Sequence, residues 1–117
     1  SHHAASIQGG RAAAAPAAAS GATAVIAYND LVALGVEAGM SDLGRSCPDD
    51  ISIVGIDDIE MAGAVTPGLT TVRMPIGRSG ALAVDLLLQA MAGTPPEEAA
   101  VLNSQLIVRG STAAPAA

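Results

Sequence analysis

Lysine, phenylalanine and tryptophan are absent from these 117 residues, cysteine and tyrosine occur once each, and no histidine lies beyond residue 3. Without lysine there is no ammonium to grip a nucleotide in a P-loop, and neither Ser79-Gly80 nor the glycines at 35, 39 and 44 match a phosphate-cradling motif. The lone cysteine, Cys47, allows neither an internal disulfide nor a thiolate metal cluster. With no downstream histidine to activate it, Cys47 reads as a free surface thiol. It is compatible with a reducing cytoplasm. His2 and His3 have no carboxylate or cysteine partner at useful spacing, so residues 1–8 read as a tag remnant or loop, and no metal or cofactor is expected. Positive charge is scarce too. Five arginines face eleven acidic residues, and the resulting −6 repels phosphate backbones, so these residues alone are not expected to bind nucleic acid.

Apolar residues fill half the chain, 26 of them alanine, and only 14% of residues are charged, which excludes a disordered segment. The length suits one compact domain. The uncharged stretch from Ala12 to Tyr28 superficially resembles an export leader, but alanine is barely apolar, Pro16 interrupts the run, and Ser20, Gly21 and Thr23 dilute it. No membrane partner is expected.

Arg11 to Ala19 favours helix, shortened or kinked at Pro16. Thr23 to Tyr28 is a β-branched, uncharged run of the length of a strand buried on both faces, and Asn29 and Asp30 after it are good N-caps for a helix ending near Gly44. Ile51 to Ile56 repeats the pattern and is followed by Asp57 and Asp58. A short helical or irregular segment leads to the Thr66-Pro67-Gly68 turn, and then come a strand from Thr70 to Met74, a helix from Ile76 to Met91 and a strand from Gln105 to Arg109. Residues 113–117 read as a disordered tail. Uniformly apolar strands alternating with helices predict the α/β class: a parallel sheet with helices on both faces.

Ligands of such sheets bind outside the carboxyl ends of the strands. Two neighbouring strands ending in Asn29-Asp30 and Asp57-Asp58 would therefore bring donors and acceptors to one rim, suited to a polyhydroxylated or amine-bearing molecule. All four are also good capping or turn residues. Asp30 and Asp58 are read as such, and Asn29 and Asp57 stay open between the two roles. Catalysis has little support, because no positioned base, nucleophile or metal set accompanies these carboxylates. Gly35, Ala38 and Gly39 suit close approach of another element, within the chain or in a second copy.

Four blocks occur in order: Thr23-Ala-Val-Ile-Ala-Tyr-Asn-Asp-Leu-Val-Ala-Leu-Gly35, Cys47-Pro-Asp-Asp-Ile-Ser-Ile-Val-Gly-Ile-Asp-Asp58, Thr66-Pro-Gly-Leu-Thr-Thr-Val-Arg-Met-Pro75 and Leu106-Ile-Val-Arg-Gly-Ser-Thr112. Together they resemble the C-terminal part of the effector-sensing domain of LacI/GalR-type transcriptional repressors, over residues 9–112. The resemblance implies part of one lobe of a type I periplasmic-binding-protein-like fold and a cytoplasmic, non-enzymatic module that senses a sugar-like effector. Operator DNA would be reached only through an N-terminal headpiece outside these residues. It further implies effector contacts by Asn29, Asp57 and Ile76, the last with a core role as its alternative. Leu34, Gly35 and Ala38, with Met61, Ala62, Gly63, Ala64 and Val65, match the region through which family members pair as dimers. The helix from Arg78 to Met91 is expected to pack on the other lobe or, here, on a second copy or a rearranged helix. The rival reading is a solute-binding protein of a sugar importer, which shares the lobe architecture.

Overall fold

The computed structural model describes residues 3–115, and its uncharged runs become the strands of one four-stranded sheet. The elements in chain order are α1 (Ile7–Ala19), β1 (Ala24–Ile26), α2 (Asp30–Asp42), β2 (Ser52–Ile56), α3 (Glu60–Ala64), β3 (Thr70–Arg73), α4 (Ile76–Met91) and β4 (Gln105–Ile107). The sheet order is β1-β2-β3-β4. β1 and β2 run parallel with Ala24 opposite Ser52, and β2 and β3 run parallel with Val54 opposite Thr70. The chain leaving β4 passes the start of β3, where the Arg109 amide donates to Thr70 Oγ1 at 2.9 Å and the Ser111 amide to the Gly68 carbonyl at 2.9 Å. The expected α/β class, with a mostly parallel sheet, is the one observed.

The described residues divide into two compact units, 3–73 with 106–115 and 74–105. The core of the first unit is made of small and aliphatic side chains: Ala14, Ala27, Ala33, Val36, Met40, Ile51, Ile53, Ala62 and Leu69. With so little side-chain volume, the helices must approach closely to exclude water. Gly10 and Gly39 of the α1–α2 seam do this together with Gly35. A Cβ on Gly10 would strike the Val32 carbonyl, and one on Gly35 would strike the Ile7 carbonyl. That packing draws Gly10 into α1, while Gly9 packs against Ala4; the helix starts at Ile7 with Ser6 Oγ accepting from the Gly9 amide at 3.0 Å. The expected boundary at residue 9 therefore moves: Ile7 and Gln8 are helical. At the other end Ala113 is tied to β2, donating its amide to Ser52 Oγ at 3.1 Å, so order extends into the expected tail, whose residues 116 and 117, like 1 and 2, lie outside the described residues.

One strand departs from expectation. β1 is not buried on both faces, because Ala24 and Ile26 of this edge strand are exposed, Ile26 at 77%. In the second unit, α4 has the limits that its apolar spacing predicts, yet none of its residues is buried.

Candidate functional site

The carboxyl ends of β1 and β2 carry the two Asn/Asp pairs side by side. β1 and β2 are parallel neighbours with Ile26 opposite Val54, so Asn29 and Asp57, which follow them, leave the sheet at the same end. Asn29 is the N-cap of α2: its Oδ1 accepts from the Val32 amide at 2.9 Å, which leaves the amide nitrogen as a donor. Asp57 is exposed and its backbone lies in the left-handed half of conformational space at φ 120°, where non-glycine residues are strained. Its amide is held by the Val72 carbonyl at 2.9 Å. The Asp57 carboxylate makes no hydrogen bond or ion pair among the described residues. An amide donor and a carboxylate acceptor at one end of a sheet are groups that hydroxyls can use.

The second residue of each pair does structural work. Asp30, fully buried, accepts from Thr71 Oγ1 at 2.6 Å and from the Ile59 amide at 2.9 Å, so it pins the start of α2 to β3 and to the turn before α3. Gly55 makes room for it, since a Cβ there would meet Asp30 Oδ1. Asp58, at φ 53°, takes Arg73 on one oxygen at 2.7 Å and Arg109 on the other at 2.8 Å, while its amide donates to Thr71 Oγ1 at 3.3 Å. The hydrogen bonds from Arg73 and then Arg109 hold its carboxyl below the usual aspartate range, so it stays ionised well into acid. No sequence signal marks this triad, because Arg73 and Arg109 lie far from Asp58 along the chain.

Ile76 opens α4 in the second unit, 67% exposed, in a shallow hollow of about 590 Å³ with Met74, Pro75, Ser79 and Leu102. It is not a core residue.

Of the residues expected at a dimer face, Leu34, Ala38, Met61 and Val65 come together around a groove of about 370 Å³ with Glu37, Ser41 and Thr66. Gly63 and Ala64 are exposed on the same short helix. Gly35 and Ala62 do not belong to that face. Gly35 lies under α1, in contact with the Ile7 carbonyl and Gly10, and Ala62 is wholly buried in the core. Glu37 brings a carboxylate to the groove whose Oε2 is buried without a partner, and burial raises its pKa.

Cys47 is not a surface thiol. It is half-buried against the core and its Sγ faces the Ser111 carbonyl at 3.4 Å. Burial, reinforced by the charge of Glu37, pushes it up to about 11, so it is protonated and inert at neutral pH. Among the described residues no cluster of three or more His, Cys, Asp or Glu is placed to hold a metal, and no helix is long and apolar enough to cross a membrane.

Comparison with known proteins shows the family and the fold. The family model for a periplasmic binding protein-like domain matches residues 2–112. The HTH-type transcriptional regulator MalR of Streptomyces coelicolor is 42% identical over 92% of this chain, which spans 31% of that regulator's length. The lactose operon repressor of Rhizobium radiobacter is 36% identical over 80% of this chain and 83% of its own. The crystal structure of a LacI family transcriptional regulator from Enterococcus faecium with bound ribose superposes with a TM-score of 0.83 at 37% identity, covering 95% of this chain and 42% of that one. These relatives are regulators, and the importer reading is set aside.

Proposed function

The chain belongs to the periplasmic binding protein-like family, among the LacI/GalR-type transcriptional regulators, and on that premise we propose that it is a non-catalytic sensing module for a hydroxyl-rich, sugar-like effector. What supports this reading is that Asn29 and Asp57 follow two adjacent parallel strands at the same end of the sheet, each with polar atoms left unused by the described residues. The carboxylate accepts from effector hydroxyls and the amide donates to one. The ribose bound by the Enterococcus relative supports the substrate class. Ile76, exposed at the start of α4, is proposed on the family resemblance alone as an apolar effector contact. In a whole regulator, unequal affinity of effector for two arrangements would shift the population able to bind operator. Such a regulator acts in the cytoplasm.

The test is an amide-resolved NMR titration of this chain with ribose and with lactose. The expected result is a saturable shift of the Asn29, Asp57 and Asp58 amides. Asp57→Asn, which keeps a residue type tolerant of positive φ, should weaken the response about tenfold or more, as loss of a charged hydrogen-bond acceptor does. Saturable shifts confined to other parts of the sheet, or none at high millimolar sugar, would sink the reading.

The same proposal includes a homodimer through the groove of Leu34, Ala38, Met61 and Val65. Burying Met61, now 46% exposed, against a copy would bring a few kcal/mol of apolar transfer from the two symmetric sites, at about 25 cal/mol per Å². Met61→Asp is expected to lower the dimer fraction in sedimentation velocity at least about tenfold. An unchanged distribution, or a wild-type chain that stays monomeric at high micromolar concentration, excludes this face.

A further inference from the structure

Asp57 holds a backbone conformation that costs free energy, so something must over-determine it. Two backbone contacts do so in part: the Asp57 amide bonds to Val72 and the Asp58 amide to Thr71, both on β3. The stronger restraint is next door. The Asp58 side chain, 8% exposed, engages a different arginine with each oxygen, at 2.7 Å and 2.8 Å. The two arginines do not have equivalent positions. Arg73 is the last residue of the first unit before the chain departs into the second, and Arg109 comes just after its return at Leu106. Arg109 is itself anchored, donating from its other terminal nitrogen to the Leu69 carbonyl at 2.9 Å.

We propose that Asp58 is the positioning residue of the effector rim: clamped between Arg73 and Arg109, it fixes Asp57 in its left-handed conformation and fastens that residue to both segments connecting the first unit to the second. This rests on the reading of Asp57 as an effector contact. Its consequence is directional. A ligand that tugs on the Asp57 carboxylate strains the adjacent residue, and that strain reaches the exit strand and the return strand together through one carboxylate.

The experiment is native-state amide exchange by NMR on wild type and Asp58→Asn, with Asp42→Asn as control because it breaks the exposed Arg11–Asp42 pair in the same unit. The Asp57, residue-58 and Arg109 amides are expected to exchange at least roughly tenfold faster in Asp58→Asn, while amides of α1 and α2 keep their protection. Asp42→Asn leaves all of them unchanged. Adding Arg109→Gln to Asp58→Asn should produce less further acceleration at Asp57 than it does in wild type, the non-additivity expected of one network. A uniform rise across the unit would mean a merely structural role, and unchanged exchange at Asp57 would mean no role; either overturns the proposal. A ribose titration separates the two claims. If wild type responds at Asp57 and Asp58→Asn responds with the same affinity, positioning by Asp58 is wrong and the sensing function stands; if wild type does not respond, the sensing function falls and the exchange data alone decide the clamp.

Discussion

Gly35→Val is expected to destabilise the protein by about 3 kcal/mol or more in chemical denaturation, a large share of the roughly 5–15 kcal/mol that holds a typical domain together. Two effects oppose each other here. Leaving glycine recovers a few tenths of a kcal/mol of intrinsic helix propensity. Against this, the new Cβ meets the Ile7 carbonyl oxygen, the Arg11 amide nitrogen and the Gly10 Cα, all backbone atoms that no rotamer change can move aside. Relief requires α1 to lift from α2, and that uncovers Ala14, Ala33, Val36 and Met40, each no more than 2% exposed now. The steric effect wins. Gly80→Ala in α4 is the counter-case, because a Cβ there meets nothing within 4 Å and the propensity gain of about 1 kcal/mol stands alone. Comparable midpoints for Gly35→Val and wild type would mean that the helix seam is not packed as described.

Asp30→Ala should cost about 3–5 kcal/mol, because the carboxylate has no exposure and two donors, the Thr71 hydroxyl and the Ile59 amide, so its removal strands both in a dry site. Hydrogen bonds to charged groups are worth about 1.5–3 kcal/mol each, and unsatisfied buried donors carry a similar penalty. Because Ile59 precedes α3 and Thr71 sits in β3, the loss should also loosen the turn containing Asp57. Asp30→Asn keeps one acceptor oxygen but turns an NH2 toward a donor, so it should fall between Asp30→Ala and wild type. Denaturant titration of the three proteins tests the order; a loss under about 1 kcal/mol for Asp30→Ala would remove this residue from the structural account.

Element order and most element types were legible in the residues, for reasons that particular positions make plain. Ile51 to Ile56 reads as a strand because an uncharged β-branched run has no helical periodicity, and Ile76 to Met91 reads as a helix because its apolar residues recur at helical spacing bounded by Pro75 and Gly93. The common direction of the strands that precede Asn29 and Asp57 was legible too, since uniformly apolar runs separated by helices imply parallel pairing. What was hidden is tertiary. Gly10, which lies outside the helix expected from Arg11, faces Gly35 across the α1–α2 seam, where the absence of side chains is what allows contact. Asp30 reads as a cap, yet Asn29 is the cap and Asp30 reaches across to β3. Gly35 and Ala62 match the dimer region by position, but helix phase turns both inward. The exposure of Ala24 and Ile26 could not be read from their apolar character, because composition shows what a face could bury and not what covers it.

The chain leaves the first unit from β3 and comes back on β4, its neighbour in the sheet. Everything between Met74 and Gln105 is thus a detour whose two doorways stand one strand spacing apart, about 4.8 Å. A detour of that shape can lengthen, shorten or be exchanged for another over evolutionary time without disturbing a single pairing in the sheet from which it departs.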